Sequence, residues 1–256
     1  MVKERSLIRY LKELLFVNKR IVIYVALSLT IILLSYVLYL ILKEETVIKL
    51  GREDGLFEYL TSLAFLITSI FFMIIFFRRK KLIHLVFSLI FFIGMGEEIS
   101  WGQRIIKFQS PEYFKENNIQ SEFNIHNLKI FDSQEEGGNY KKGISYILSM
   151  NFLYKLFWFV YGIMLPIVYV FSRFVKKIID SIDLLVPPFV LGLFFIINWT
   201  IWKIIGSLFV SEDASVFYYY AGVEINEFGS AIVFVMISAY FLQTFRAPVA
   251  SVTRIQ

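Results

Sequence analysis

Apolar stretches of about 17 to 25 residues, separated by short charged segments, recur from one end of the chain to the other. A helix rises 1.5 Å per residue, so runs of this length match the ~30 Å hydrocarbon layer of a bilayer. The pattern predicts an all-α, polytopic transmembrane helical bundle of about six spans, at 21–42, 56–77, 82–101, 152–171, 184–209 and 222–245. No linker or shift in composition divides the chain, so residues 1–256 read as a single integral membrane domain.

The third run is too short for its task. From Leu82 to Gly96 there are 15 residues without Asp, Glu, Lys or Arg, which as a helix cover only ~22 Å. To reach the far interface the helix must continue through Glu97, Glu98 and Trp101, drawing at least one carboxylate to the headgroup boundary or beneath it. The sixth run repeats the situation: 229–245 holds 17 residues, ~25 Å, so its helix must start earlier and carry Glu227 and Glu224 into the outer layer. An acid held in a membrane marks a candidate site, because its burial there needs a reason.

Composition narrows the classes. A hydrophobic share of 57% and a mean hydropathy of +0.65 argue against a soluble domain. With no cysteine, disulfides, thiol catalysis and thiolate metal sites are excluded. The net charge of +5 does not imply a nucleic-acid partner. In the six-span topology 15 of the 26 Lys and Arg residues fall on one side: in 1–20, at 78–81, in 173–177 and after residue 245. By the positive-inside rule this places both termini in the cytoplasm of a multi-pass cell-membrane protein. A signal peptide would have a shorter apolar core followed by a small-x-small cleavage site, which Leu34 to Lys43 does not offer, so the N-terminal segment reads as an uncleaved anchor with residues 1–20 in the cytoplasm. Within them 6–17 is predicted as an amphipathic helix with Arg9, Lys12 and Glu13 turned to water. All but four of the 21 acids lie on the opposite, outer side, an excess that topology does not require.

The segment 103–143 is the one sizeable region outside the bilayer. It carries Pro111, a polar run from Asn117 to Glu122, then Asn124, His126 and Asn127, and a Gly137-Gly138 break. Its interleaved aromatic and aliphatic residues argue against disorder and predict an extracytoplasmic cap over the outer helix ends. Elsewhere, 43–55 reads as a short polar connection and Pro187-Pro188 as the first turn of span five. Trp199, Trp202 and 217–220 read as an interfacial aromatic belt, and Lys203 as a residue that snorkels or pairs with a carboxylate.

Three spans therefore present acids at one depth: Glu58 on the second, Glu97 and Glu98 on the third, Glu224 and Glu227 on the sixth. Together with His126 from the cap they form the ligand set expected for a divalent metal ion. Glu98 is the candidate general base, with Arg104 or Lys203 stabilising developing negative charge. Trp101, Gln103, Asn124 and Asn127 take supporting positions, and helical spacing puts Glu97, Trp101 and Arg104 on one face. The helix macrodipole alone accounts equally well for Glu58, Glu224 and Glu227 at helix N-termini, but not for Glu97 and Glu98 at a C-terminal end. His84 lies 13 residues before Glu97, ~20 Å away along the helix, and cannot join this site.

The pattern Gly96-Glu97-Glu98-Ile99-Ser100-Trp101-Gly102-Gln103-Arg104, followed by Pro111-Glu112 and by Asn118, Gln120, Glu122, Asn124, His126 and Asn127, resembles a family of uncharacterised prokaryotic integral membrane proteins. The resemblance covers about Arg52 to Leu128 and implies a polytopic membrane fold without a particular activity. A weaker similarity joins Arg52-Glu53-Asp54-Gly55, Glu58 and Thr61-Ser62 to alkaline ceramidases, which implies zinc-dependent hydrolysis of a lipid. Those enzymes use several histidines. This chain has only His84 and His126, on opposite sides, so its ligands would have to be carboxylates.

The expectation is a protein of the lipid bilayer acting on a lipid or lipid-linked substrate at its outer leaflet, by metal-assisted hydrolysis or transfer. Two other classes stay open. A cation- or proton-coupled transporter would titrate the same glutamates, and a non-catalytic membrane scaffold would use the cap as its interface.

Overall fold

The computed structural model describes residues 2–52, 54–135, 139–210 and 215–245, with side chains from Leu7 onward. The Gly137-Gly138 break and the basic residues Arg246 and Arg254 lie outside the described residues. No strand forms among the described residues, and pairing is limited to two isolated bridges, Asn118 with Leu128 and Gln134 with Tyr140.

Helix α1 (Val2–Leu14) leads into α2 (Lys19–Ile41), where Asn18 caps the first turn by accepting from the Ile21 N–H at 2.9 Å. The buried residues of α2, from Ile21 through Tyr24, Ser28, Ile32 and Ser35 to Tyr39, recur every three or four positions. The opposite face exposes Ile23, Leu27, Leu34 and Val37, as a helix facing lipid does. The connection expected to be a plain polar turn contains α3 (Glu44–Gly51). Its Val47 and Gly51 are buried one turn apart on the face that meets the last helix, a pairing too short to stand out as a pattern.

Helices α4 (Leu56–Arg79) and α5 (Leu82–Glu98) form a hairpin through Lys80, whose backbone is left-handed (φ 56°). Small hydroxyls join the pair: Ser69 Oγ donates to Ser88 O at 2.8 Å, Ser88 Oγ to Ser69 O at 2.9 Å, and Ser62 Oγ to Met95 O at 3.0 Å. In an apolar medium such side chains let helices approach and satisfy one another.

The cap contains α6 (Gln103–Ile106) and α7 (Glu112–Asn117), and α8 (Ile144–Ile147) leads back to the bundle. The fourth span is α9 (Met150–Phe159), a π-helical turn (Val160–Met164) and α10 (Leu165–Phe171). Pro166 explains the widened turn, since it has no N–H for the carbonyl four residues back. An amphipathic α11 (Arg173–Ile182) follows, then α12 (Phe189–Leu208) and α13 (Val216–Thr244). Pro187 and Pro188 sit ahead of α12 rather than in its first turn; the residue before a proline is driven out of the helical region, and α12 begins once both are passed.

Among the described residues five helical segments are long and apolar enough to cross a membrane, or six if α5 and the bent segment Ser100–Ile106 count as one. Their length and apolar character are those of helices able to span a bilayer. Helix α13 is the axis of the bundle, packing on α2, α3, α4 and α12 with Ala221, Ile225, Phe234 and Ile237 buried. Asn198 fixes the contact with α12: its Nδ2 donates to Asn226 O at 2.6 Å and Ser230 Oγ at 3.1 Å, and its Oδ1 accepts from Tyr36 at 3.1 Å. A Cβ on Gly229 would stand 2.4 Å from Asn198 Oδ1, so only glycine permits this approach. Trp202, expected at the interface, is 4% exposed and packs edge-on against Tyr39. At the opposite end of the bundle from the cap, Asp183 accepts from Arg79 and lies 2.9 Å from His84 Nε2, tying the α4–α5 hairpin to the start of the α12 segment.

A cavity beneath the cap

The site begins where α5 stops. Ser100, Trp101 and Gly102 all adopt positive φ (46°, 53° and 75°), so the helix does not run through Trp101 to Arg104 as the length argument required. Instead the chain bends by 66° into α6. For Ser100 and Trp101 this backbone costs of order 1–3 kcal/mol each and persists only if the surroundings impose it. They do. Ser100 Oγ donates to the Glu122 carboxylate, and Trp101 Nε1 donates to Glu97 Oε1 at 2.8 Å. A Cβ on Gly96 would meet the indole at 2.8 Å, so the glycine makes room for Trp101 to fold back.

Glu97 holds the cap down. Its Oε2 accepts from the backbone N–H groups of Ile125 at 2.6 Å and His126 at 2.9 Å, with His126 Nδ1 at 3.5 Å. Three N–H donors therefore occupy this 8%-exposed carboxylate. Most of the polar motif in the cap satisfies itself in the same manner. Asn118 Nδ2 donates to Asn124 Oδ1 at 2.7 Å, Asn124 Nδ2 to Ser100 Oγ at 2.8 Å, and Asn127 Nδ2 to Gln120 Oε1. Gln103 Oε1 accepts from the Phe123 N–H at 2.6 Å while its Nε2 donates to Ser110 at 2.8 Å. Asn124 and Gln103 thus shape the cap. Asn127 does this and also faces the cavity below.

That cavity, about 480 Å³, lies among α4, α5, α9, α13 and the cap. Its polar lining includes Glu97, Glu98, Glu227, His126, Asn127, Asp132, Asn151 and Tyr154. Its apolar lining includes Phe65, Ile90, Phe91, Ile93, Leu153 and Phe157. Depth separates the two sets: Phe91 precedes Glu98 by two helical turns on α5, ~10 Å further from the cap, and Phe157 lies one turn below Tyr154 on α9. Ile90 and Ile93 line the cavity and are also 42% and 49% exposed on α5, so part of its wall belongs to the apolar flank of the bundle.

Within it, the Glu98 carboxyl lies in range of the charges on Glu227, Glu58 and Glu97, while Glu227 faces His126 and Lys155. The Tyr154 hydroxyl, near both Glu98 and Glu227, is fully buried and makes no hydrogen bond. Ser230 lies beside it, its hydroxyl donating to Asn226 O at 3.0 Å and accepting from Asn198 Nδ2 at 3.1 Å, and not hydrogen-bonded to the Tyr154 hydroxyl. Tyr154 and Lys155 were not singled out in the sequence, because an aromatic-rich apolar helix gives no sign of which tyrosine faces a cavity.

The remaining sequence candidates lie elsewhere. Glu58 accepts from the Asp54 N–H ahead of its own helix and does not line the cavity. Glu224 is half-buried one turn before Glu227, also outside the lining. Arg104, separated from the face of Glu97 by the left-handed turn, pairs with Asp54 and Glu122. Lys203 is exposed, its Nζ 5.9 Å from the centroid of the Trp199 ring. Neither cation reaches the cavity lining. Among the described residues no group of three or more His, Asp or Glu side chains converges closely enough to hold a metal ion. Glu97, one of the expected ligands, already serves as an acceptor for the cap.

No protein-family model, curated protein or solved structure matches this chain.

Proposed function

We propose that this chain is a membrane protein that takes up a lipid or lipid-linked molecule from the bilayer and hydrolyses it or transfers a group from it, with Glu98 and Glu227 acting as acid and base. The basic turn at 78–81 faces the cytoplasm, and the cap lies over the outer leaflet. One observation carries this reading: a single cavity joins carboxyl and imidazole groups near the cap to an aromatic floor, and has the part-exposed Ile90 and Ile93 in its wall on the flank that lipid would cover. An amphiphile fits such a space with its headgroup at Glu98, Glu227 and His126 and its chain against Phe91 and Phe157. The cap excludes bulk water above, which strengthens every polar interaction below it.

Two carboxyls on facing helices can divide acid–base work, one donating to the leaving group while the other activates water or an acceptor hydroxyl. Tyr154, with its hydroxyl uncommitted, is placed to donate a hydrogen bond to the reacting headgroup. The test is incubation of the purified chain, in nanodiscs, with a total lipid extract, following consumed and formed species by mass spectrometry. Glu98→Gln and Glu227→Gln are each expected to lower turnover by about 10²-fold or more while the protein still folds. Full turnover in both variants, or no lipid retained or changed by the wild-type chain, overturns the reading.

A further inference from the structure

The charges around the cavity are one-sided, and this bears on which headgroup it accepts. Glu98, Glu227 and Asp132 line it as acids, while Glu97 is spent on the cap and only His126 offers an imidazole. Arg104 is held by Asp54 and Glu122, and Lys203 is exposed over Trp199, so the guanidinium and ammonium groups that would recognise a phosphate are absent from the lining. Lys155 acts on Glu227 from outside that lining. An anionic headgroup would meet Glu98 and Asp132 with no Lys or Arg among the lining residues to offset them.

Aromatic rings stand below and beside these acids. Phe65, Phe91, Phe157 and Tyr154 all line the cavity, with ring centroids 5.9 Å apart for Phe65 and Phe91, 6.5 Å for Phe65 and Tyr154, and 6.1 Å for Phe91 and Phe157. Phe91 and Phe157 lie deeper and serve the amphiphile's chain, whereas Tyr154 stands at the depth of Glu98 and Glu227; an aromatic face beside carboxylates attracts an ammonium group, whose charge meets the ring quadrupole and whose N–H donors meet the acids. The buried Tyr154 hydroxyl, without a partner of its own, supplies an independent sign that a polar group of a ligand belongs there.

We infer that the cavity selects a cationic amphiphile, a single- or double-chain lipid bearing an amine or ammonium headgroup, over anionic and neutral ones. The inference rests on the proposed function and narrows its substrate class. It is tested with the full chain in maltoside micelles, adding dodecylamine, dodecyl phosphate or dodecyl glucoside at equal mole fraction and measuring bound ligand by native mass spectrometry. Dodecylamine is expected to bind about tenfold or more tightly than either competitor, and Glu98→Gln with Glu227→Gln to remove that preference. If the double variant does not fold, Tyr154→Phe replaces it, with a weakened but retained preference expected. Equal or tighter binding of the phosphate or the glucoside overturns the headgroup assignment while leaving an amphiphile site in place. Failure of all three to bind overturns the proposed function with it.

Discussion

Glu97 shows how much an acid's role depends on what donates to it. Its position beneath a short apolar run was legible in the sequence. Its occupation by Trp101 Nε1 and by the Ile125 and His126 N–H groups was not, because those donors arrive through a left-handed turn that helical spacing cannot foresee. Replacing one oxygen by an amide sets N–H against N–H at a buried site. Glu97→Gln is therefore expected to cost about 1–3 kcal/mol, and Trp101→Phe, which removes a single bond, about 0.5–1.5 kcal/mol. Thermal unfolding in detergent, followed by helical circular dichroism, measures the difference. Limited proteolysis of 103–135 should accelerate more in the first variant than in the second. Equal effects would mean that the two backbone donors contribute nothing.

Among the elements, long apolar helices were the most readable feature, since length and hydropathy suffice to find them. Breaks within them were not. Pro166 widened its helix at a π turn instead of ending it, and Pro187-Pro188 delayed α12 instead of starting it. Contacts between helices depend on small residues and single polar groups whose partners are remote in sequence, as with Gly229 and Asn198. Gly229→Ala would force α12 and α13 apart or expel the Asn198 side chain from its bonds with Asn226 and Ser230. A loss of about 1–3 kcal/mol is expected from such overpacking, measurable as a lowered unfolding temperature. Restoration by the double change Gly229→Ala with Asn198→Ala would show that the clash is with this side chain.

Viewed whole, the molecule separates its ionisable groups by end. The cap end carries the cavity, and the other end carries Arg79, His84 and Asp183, a cluster that sequence reading missed because Asp183 lies a hundred residues from its partners. Burial would push the Asp183 carboxyl up, but hydrogen bonds and charge from Arg79 and His84 outweigh it and hold the carboxyl below its usual range. A carboxyl so lowered adds stability that is present above its unfolded value of about 3.9 and is lost as pH falls through the lower folded value. Acid unfolding of the wild-type chain should therefore steepen below about pH 4. Asp183→Asn should flatten that part of the curve and lower stability at neutral pH. Unchanged curves would show that the cluster contributes no net stability.

On the proposed function, the cavity wall formed by Ile90 and Ile93 also sets the variable that governs its occupancy. A guest arriving through the side of the bundle is drawn from a two-dimensional solvent, so its mole fraction in that film matters and its molarity in the buffer does not. At constant guest, diluting the film with inert lipid should empty the protein in proportion, whereas enlarging the aqueous volume should leave it filled. Any detergent used to extract the chain is, by the same logic, a competitor from the first step of purification.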